Sequence, residues 1–476
     1  MARKDEPQLP HALSVFDCPA ARAWNNVGLM TDLAHRLRTI DYFAIGFGTM
    51  VGVGWLVVMD DWLQRGGPFG AILGFAIGGL ILLPIGYVYA RLVIAMPDSA
   101  SEIAYTARVF PRSVSFATGW LMMLAYFVVC PWEAVAVGRI AAYLFPQLNR
   151  LELYRVLGQP VFLPHLLIGL GLTAVITYVN YRGIQFSAAF QNWTTFGLLA
   201  LFVVFASCGI LRGSAANLRP GFSHGNIVSI LLVVQIVPYF MTGFESVAKC
   251  SEEARPGFKN SGFFKAILVA ILVGIAFYTS VTAIVAYVYP WHALTAQSFA
   301  TAYAFRKAFG SEWIVNVILA AALLSLLKVF NGNFLASSRL LFALGRRDMI
   351  NSRAGTVHPR YKTPAVSVLA VGGLSAVLVF LGTSILIPVT EVGSMASACG
   401  WLAACASYYA LQGDRLQRVI TSIGIAVAST FIAIKVLPFV PGHFTRPEWL
   451  ALIAWCALGL LLRKKTGSSG GPSKAE

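Results

Sequence analysis

The chain of 476 residues is 57% hydrophobic and only 12% charged, and this composition excludes a soluble globular domain. Its formal net charge of +16 is compatible with nucleic-acid binding, but the lysines and arginines alternate between the segments that link apolar stretches. Membrane proteins show this alternation because basic loops stay on the cytoplasmic side. We therefore expect an integral membrane protein that is surrounded by a lipid bilayer, with both termini in the cytoplasm and no nucleic-acid partner.

Twelve apolar stretches are long enough to cross a bilayer, at about 20 residues per crossing. We predict an all-α integral membrane fold with a cytoplasmic N-terminal extension (1–38), one transmembrane domain (39–463) and a disordered cytoplasmic tail (464–476). The extension lacks the apolar core of a signal peptide. The predicted transmembrane helices cover residues 40–62, 70–95, 114–145, 161–179, 188–211, 226–248, 263–289, 313–345, 364–383, 385–410, 417–438 and 447–463.

The first predicted helix contains the glycine-rich run Gly48–Gly54. Each glycine costs a helix about 1 kcal/mol relative to alanine, and lipid offers no water to backbone groups that unwinding releases. A break survives there only where it lines a cavity, with N–H groups of the outer half facing an anion and carbonyls of the inner half facing a cation. An amino acid carries both charges, so the run predicts a substrate site.

The third predicted helix carries two ionisable residues, Glu133 and Arg139. Such groups are costly inside a membrane and usually face a cavity or a partner. Six positions place Arg139 about 120° around the helix from Glu133, so a direct pair between them is strained. Glu133 either faces the substrate pocket, where it titrates or attracts a cationic side chain, or binds a neighbouring helix structurally.

The sixth predicted helix contains Pro238, Gly243 and Glu245 in mid-span. Proline removes a hydrogen-bond donor and glycine permits bending. A kink of this kind is common in membrane helices by itself. In transporters built from two inverted five-helix repeats, however, the sixth helix is the counterpart of the first, and the pairing of the two runs favours a second break.

No motif indicates an enzyme, since the chain lacks HExxH, GxSxG and phosphate-loop patterns. The seven cysteines are scattered without metal-ligand spacing, so we expect no cofactor and no metal. The absence of paired cysteines in the outer loops fits a bacterial inner membrane. A transporter-like sensor or a channel is the alternative outside carriers; an exchanger, or a permease for polyamines or another organic amine, is the alternative within them.

The order of several motifs resembles that of the amino acid-polyamine-organocation permeases, from about Arg38 to the tenth predicted helix. Each motif is weak alone, and Ala100 and Ser101 stand where that family usually has glycine. The motifs that carry the resemblance are Gly48–Gly54, Gly66–Pro68, Pro97–Tyr105, Gly243–Glu245 with Glu252–Glu253, and Ser338–Arg339 with Gly345–Asp348.

The resemblance implies a secondary transporter with a fold of two inverted five-helix repeats, broken helices 1 and 6, and two further helices. We expect a monomer or homodimer that imports an amino acid or another small-molecule amine by alternating access. We expect proton coupling, because no sodium-site residue set is visible and Lys328 suggests it. Tyr239 lies where relatives often have an aromatic lid, although packing is its ordinary role, and Trp55 either narrows the pocket or faces lipid. The implied carboxylate-binding N–H groups belong to Val51, Gly52, Val53 and Gly54; the implied ammonium-binding carbonyls lie near Ile45, Gly46, Tyr239, Phe240, Thr242 and Gly243.

Two residues are expected to couple transport to protons. Glu245 adjoins the sixth-helix break, where similar proteins carry a carboxylate implicated in proton sensing or gating. Some proton-coupled relatives place a lysine on the fifth helix in place of a sodium ion, but this chain has Gly197 at the aligned position. Lys328, deep in the eighth predicted helix, could reach the same place; the competing interpretation is a structural ion pair with Glu133 or Glu245.

Overall fold

The computed structural model describes residues 33–297, 299–440 and 443–464. Most of the expected N-terminal extension and the expected tail after Lys464 lie outside these ranges. The described chain is helical, as expected, with one addition. A short antiparallel hairpin joins β1 (Glu152–Val156) to β2 (Gln159–Phe162) ahead of the fourth predicted helix.

The helices follow the apolar stretches closely, and short 3-10 segments connect several of them. The α-helices are α1 Thr39–Met50, α2 Gly54–Val57, α3 Met59–Leu80, α4 Leu83–Ala95, α5 Glu102–Ala107, α6 Arg112–Phe127, α7 Val129–Leu144, α8 Leu163–Arg182, α9 Ile184–Arg212, α10 Asn226–Val234, α11 Val237–Met241, α12 Ser246–Lys249, α13 Ser261–Val288, α14 Trp291–Leu294, α15 Ala300–Phe309, α16 Glu312–Arg346, α17 Ala365–Val379, α18 Leu386–Leu411, α19 Arg415–Val436 and α20 Arg446–Leu462. The 3-10 segments are Pro146–Leu148, Ala215–Leu218, Ser251–Glu253, Ser352–Gly355 and Gly382–Ile385.

Eight helical segments within the described ranges are long and apolar enough to cross a membrane. They confirm a helical protein that crosses the membrane several times. The segments are Thr39–Val57, Met59–Ala95, Arg112–Leu144, Leu163–Arg182, Ile184–Arg212, Ser261–Val288, Glu312–Arg346 and Arg415–Val436.

The first helix is interrupted, and its inner part is longer than expected. α1 continues through Gly46 and Gly48 to Met50, so the prediction that it ends near Ile45 and Gly46 is wrong. The backbone N–H of Val51 still donates to the carbonyl of Phe47, and the interruption spans only Val51 to Val53. The apolar helices packed around α1 offset the cost of its glycines.

The sixth predicted helix is divided into α10, α11 and α12. α11 ends at Met241, and Gly243 has a φ of +138°, a backbone conformation that side chains strongly disfavour. A Cβ on Gly243 would lie 2.6 Å from the backbone nitrogen of Met50, at the end of α1. The interruptions of the two helices therefore lie directly against each other.

The turn predicted at Gly66–Pro68 separates two helical runs inside α3. Gly67 has φ +63° and ψ −179°, which no helix contains.

Within the described part, α1, α6, α7 and much of α16 form the buried centre, whereas α9 and α19 expose apolar side chains. Trp193 and Leu211, for example, are 66% and 82% exposed. This arrangement is expected of a bundle whose outer surface faces lipid.

Candidate substrate site

A small cavity lies where the interruptions of the first and sixth helices meet. It admits the centre of a water molecule over about 20 Å³, which is room for about one water. Of the residues predicted to bind substrate, its lining includes Gly52, Gly54, Glu133, Tyr239, Phe240 and Thr242. The other lining residues are Thr49, Met50, Ala125, Val129, Trp132, Tyr278, Val329, Asn333 and Ser397.

The outer side of the first interruption presents backbone donors. Among the described residues, the N–H groups of Gly52 and Val53 have no backbone acceptor, and the short helix α2 starts at Gly54. The carboxylate of Glu133 lies beside them: its Oε1 is 3.1 Å from where a Cβ on Gly52 would sit, and the N–H of Val53 is directed at the carboxylate. The N–H of Gly52 is directed at the hydroxyl of Tyr278. An anion can bind these donors only in competition with Glu133 or with Glu133 uncharged.

The sixth-helix interruption presents backbone acceptors. The carbonyls of Tyr239 and Phe240 accept no backbone hydrogen bond from the residues that would continue their helix, because the chain turns away after Met241. The hydroxyl of Thr242 donates to the carbonyl of Pro238 at 2.5 Å and lies 2.7 Å from Oγ of Ser397. Free carbonyls in a water-poor cavity attract an ammonium group.

Side chains of α13 and α16 satisfy the carbonyls at the end of α1. Lys328 Nζ donates to Val51 O and, at 3.5 Å, to Gly48 O. Ser325 Oγ donates to Gly52 O at 2.7 Å. Two more donors complete the set: Asn333 Nδ2 to Thr49 O at 3.0 Å, and Tyr278 Oη to Met50 O at 3.2 Å.

Several predicted site residues do not line the cavity. Ile45 lies within α1, where its carbonyl accepts the hydroxyl of Thr49 at 2.6 Å, and Gly46 packs near Val247 and Ala270. The expected ammonium contacts near Ile45 and Gly46 are therefore corrected. Val51, Val53 and Gly243 form the interruptions themselves, and reach the cavity only through their neighbours.

Trp55 neither narrows the pocket nor faces lipid. Its side chain is 1% exposed, and its ring packs edge-on against Phe205 and Phe277. Its carbonyl accepts the hydroxyl of Thr301 at 2.6 Å. A tryptophan after the glycine run fits here because α9 and α13 leave an aromatic slot beside α2, and Trp55 therefore supports the helix rather than the substrate.

Lys328 and Glu133 occupy the same region without forming an ion pair. Among the described residues, no carboxylate oxygen lies within 4.0 Å of Lys328 Nζ, and Oε2 of Glu133 has no hydrogen-bond partner. The ammonium also lies 5.1 Å from the ring centroid of Phe47. The ammonium of Lys328 thus contacts backbone carbonyl oxygens, and the interpretation as an ion pair with Glu133 or Glu245 does not describe this conformation.

Glu245 lies beneath the cavity rather than in its lining. Its Oε2 accepts the N–H of Gly243 at 3.1 Å, and its Oε1 accepts Nε1 of Trp401 at 3.2 Å. The carboxylate therefore holds the turn of the sixth-helix interruption against α18. Glu245 thus contacts both elements.

Sequence reasoning missed a buried ion pair one helical turn further in. Lys249 Nζ lies 2.6 Å from Oε1 of Glu102, and both side chains are fully buried. Tyr89 donates to the same oxygen at 2.7 Å. The sequence contains indications of both residues: Lys249 follows Glu245 by four residues on one helix face, and Glu102 belongs to the motif Pro97–Tyr105. The tertiary contact between these segments was not predictable.

The two ends of the molecule differ in openness. At the end that bears α5 and α12, ion pairs close the path: Arg339 Nη2 lies 2.7 Å from Oε1 of Glu253, Arg346 binds Glu252, and Arg347 binds Asp98. At the opposite end a vestibule of about 620 Å³ lies beside the cavity. The described conformation thus has ion pairs at one end and a vestibule at the other, with Trp132, Tyr239 and Phe240 lining both the vestibule and the cavity.

Comparison with known proteins relates this chain to amino acid permeases. A profile of the family described as Amino acid permease matches residues 37–462. The chain is 25% identical over 449 residues to the Methylthioribose transporter of Bacillus subtilis, covering 90% of this chain and 93% of that protein. It is 24% identical to the branched-chain amino acid permease BcaP of Bacillus subtilis, over 76% of this chain and 77% of that protein. It is 26% identical to Cationic amino acid transporter 4 of Mus musculus, over 74% and 56% respectively.

Proposed function

Because this chain belongs to the amino acid permease family of the amino acid-polyamine-organocation superfamily, we propose that it imports an amino acid as a secondary active transporter. Membership makes it a permease for an amino acid or a related solute, and not an enzyme. The finer elements of the proposal are the substrate class, the direction of transport and the coupling ion. Alternating access is the mechanism by which one central site serves both faces of a membrane.

One observation carries the proposal: backbone donors and backbone acceptors that the two helix interruptions release from helical hydrogen bonds lie at one cavity. The donors are the N–H groups around Gly52 to Gly54, and the acceptors are the carbonyls of Tyr239 and Phe240. Helix termini favour an anion at the donors and a cation at the acceptors. A substrate with a carboxylate and an ammonium on one carbon matches both, and Tyr239 covers the cavity from the vestibule side.

The proposed topology has twelve crossings, in two inverted five-helix repeats plus α19 and α20. Facing interruptions in the first and sixth helices support this arrangement, because inverted repeats bring equivalent helices together at the site. In this topology both termini are cytoplasmic, the vestibule is external, and the transmembrane domain spans 39–463. The bacterial relatives support a bacterial cell membrane as the location. We propose that the carrier acts as a monomer or a homodimer.

Proton coupling is proposed through Lys328. Its ammonium bridges the interruption of the first helix to α16, in the way that a bound metal cation would. Loss of its proton would leave the carbonyls of Gly48 and Val51 without a cation and loosen α1 from α16. Proton binding at Lys328 is thereby linked to the arrangement of the helices that form the site, and Glu245 is proposed to gate the inner path.

Uptake into proteoliposomes tests the proposal. A panel of radiolabelled amino acids and putrescine is offered with and without an inward proton gradient, in vesicles that contain no substrate. Concentrative uptake of an amino acid that a protonophore abolishes is the expected result. Uptake that appears only in preloaded vesicles would replace the proposal by obligate exchange, and saturable binding without any flux would indicate a sensor.

A permease for an organic amine is the second candidate. Glu133 favours it, because its carboxylate already faces the N–H of Val53, one of the donors that a substrate carboxylate would use. A polyamine has no carboxylate and would bind Glu133 directly. The panel separates the candidates: putrescine uptake with no amino acid uptake would identify the amine carrier.

A further inference from the structure

The vestibule beside the central cavity has charged walls that the central site does not use. Trp132, Tyr239 and Phe240 line both spaces, so the vestibule and the central cavity adjoin at these aromatic side chains. The charged residues of the vestibule wall are Asp60, Asp61, Arg65, Arg139 and Glu391.

Most of these charges are neutralised by neighbours. Arg65 Nε lies 2.7 Å from Oδ2 of Asp61, and Glu391 forms an ion pair with Lys435. Asp60 and Arg139 are different. Within the described ranges neither has an ion-pair partner within 4.0 Å, and the buried Oδ1 of Asp60 accepts no hydrogen bond.

Asp60 and Arg139 lie close enough to attract each other electrostatically, but they do not touch. The guanidinium of Arg139 lies 5.6 Å from the ring centroid of Phe299, a cation–π contact that holds it in place without using its N–H donors. Both side chains are partly shielded from solvent, so each loses hydration without gaining an oppositely charged partner in contact. Shielding such charged groups from solvent costs free energy unless a bound ligand supplies the opposite charge.

We propose that Asp60 and Arg139 form an outer binding site for zwitterionic α-amino acids, which fill it before they enter the central cavity. The inference rests on the proposed transport of amino acids. The carboxylate of the zwitterion accepts two parallel hydrogen bonds from Arg139, and the ammonium donates to Asp60. Charge-assisted hydrogen bonds of this kind are among the strongest polar contacts in proteins.

The site selects for two charges held one carbon apart. A solute with only an ammonium or only a carboxylate satisfies one residue and leaves the other unpaired, which costs binding free energy. The side chain of the amino acid points into the vestibule, which has a volume of about 620 Å³. The outer site therefore recognises the class of substrate, and the central cavity selects among side chains.

The experiment measures equilibrium binding of tritiated glycine, which has both charges and no side chain, to the purified full-length protein in nanodiscs. A Gly52→Val substitution closes the central cavity, because its Cβ alone would lie 3.1 Å from Glu133 and 3.3 Å from Val329. We expect saturable glycine binding to remain in this variant. Adding Asp60→Asn or Arg139→Gln should weaken it at least about tenfold, the usual effect of losing one charged hydrogen bond.

Matched controls lie on the same wall. Asp61→Asn and Arg65→Gln remove charges from the neighbouring ion pair and should leave glycine affinity unchanged. Methylamine and acetate, which each carry one charge, should not compete. If the Gly52→Val protein is not monodisperse, the binding stoichiometry of the protein without this substitution tests the outer site instead. We expect two bound glycines per chain in the wild type and one in Asp60→Asn.

The proposal is overturned if folded Gly52→Val protein shows no saturable glycine binding, or if Asp60→Asn and Arg139→Gln leave that binding unchanged. Altered transport rates with unaltered binding would instead identify the pair as a contact that closes the vestibule. Binding and uptake are separate measurements, so a failure of transport in the wild type does not count against the outer site.

Discussion

The side-chain ammonium of Lys328 donates a hydrogen bond to the carbonyl oxygen of Val51, at the point where the first helix is interrupted. The same ammonium reaches Gly48 O, one turn earlier. Backbone carbonyls released inside a membrane need a donor because lipid supplies none. Lys328 therefore explains how α1 can end in mid-bundle, and it joins the substrate site to α16.

Replacing Lys328 by methionine should abolish proton-driven accumulation. The methionine fills a similar volume but supplies no charge, so the proposed link between proton binding and helix position is lost. Exchange of substrate across preloaded vesicles should persist, because exchange needs no net proton movement. Lys265, an exposed lysine at the start of α13, provides the control Lys265→Met. Unchanged accumulation in Lys328→Met would show that coupling lies elsewhere.

Glu133→Gln should change the selectivity of the carrier. The glutamine keeps the shape of the side chain and removes the negative charge from the cavity. We expect the affinity for cationic substrates to fall about tenfold relative to neutral amino acids, the usual value of one charged hydrogen bond. Competition binding with lysine and leucine measures this ratio. The control Glu312→Gln, at an exposed carboxylate on α16, should leave this affinity ratio unchanged. An unchanged ratio in Glu133→Gln would mean that the charge of Glu133 has no role in substrate recognition.

Gly243→Ala should prevent transport and lower thermal stability. A positive φ costs a non-glycine residue about 1–2 kcal/mol, and here the new Cβ also meets Met50 N at 2.6 Å. Gly310 provides a matched control, since it has φ +60° with nothing within 4 Å of its Cβ position. Gly310→Ala should show the backbone cost alone. Equal melting temperatures and equal transport in the two variants would mean that the contact between the interruptions has no role.

The buried pair of Lys249 and Glu102 should show strong thermodynamic coupling. Removing one partner leaves a buried charge uncompensated, which typically costs about 3–5 kcal/mol. Lys249→Met and Glu102→Gln should each lower the melting temperature sharply. The double variant should recover much of the loss, because no isolated charge remains. Additive losses in this double-mutant cycle would contradict a direct interaction.

The inner closure should weaken only in strong acid. Burial alone would raise the pKa of Glu252, but hydrogen bonds from Arg346 and Ser99 outweigh it, and the net pKa lies below the ordinary range. Because the pKa of Glu252 is lowered in the closed form, its ionised carboxylate stabilises that form at pH values above the ordinary pKa of a glutamate. This stabilisation is lost as the pH falls through the folded-state pKa. Labelling of buried Cys250, expressed as a fraction of its labelling in the unfolded protein at the same pH, should therefore stay constant from pH 7 to about 5.

Glu252→Gln should raise the relative labelling of Cys250 at neutral pH, because the closing contact with Arg346 is weakened. A change of the labelled fraction of Cys250 near neutral pH in the wild type would contradict this assignment. Since the unfolded reference is labelled at the same pH, the fraction cancels the effect of pH on thiol reactivity. Size-exclusion chromatography of each variant separates opening of the inner path from unfolding.

The interruptions themselves were predictable, but their details were not. Glycine spacing and Pro238 with Gly243 identify where two membrane helices cannot continue, because propensity and lipid exclusion act on local sequence. The end of α1 was predicted four residues early. Gly46 and Gly48 stay helical because neighbouring helices pack closely on them: a Cβ on Gly48 would lie 2.0 Å from Gln191. That contact joins residues far apart in the chain.

The sequence by itself determined a helical membrane protein, the positions of its apolar stretches, the two interrupted helices and the short set of intramembrane charges. Each follows from composition or local pattern, on which solvation acts directly. Only the tertiary structure decided what those charges meet: Lys328 the carbonyls of Val51 and Gly48, Lys249 the carboxylate of Glu102, and Trp55 an aromatic slot. The rotation of a helix about its axis depends on packing with distant segments, and hydropathy, which is similar all around a buried helix, does not encode it.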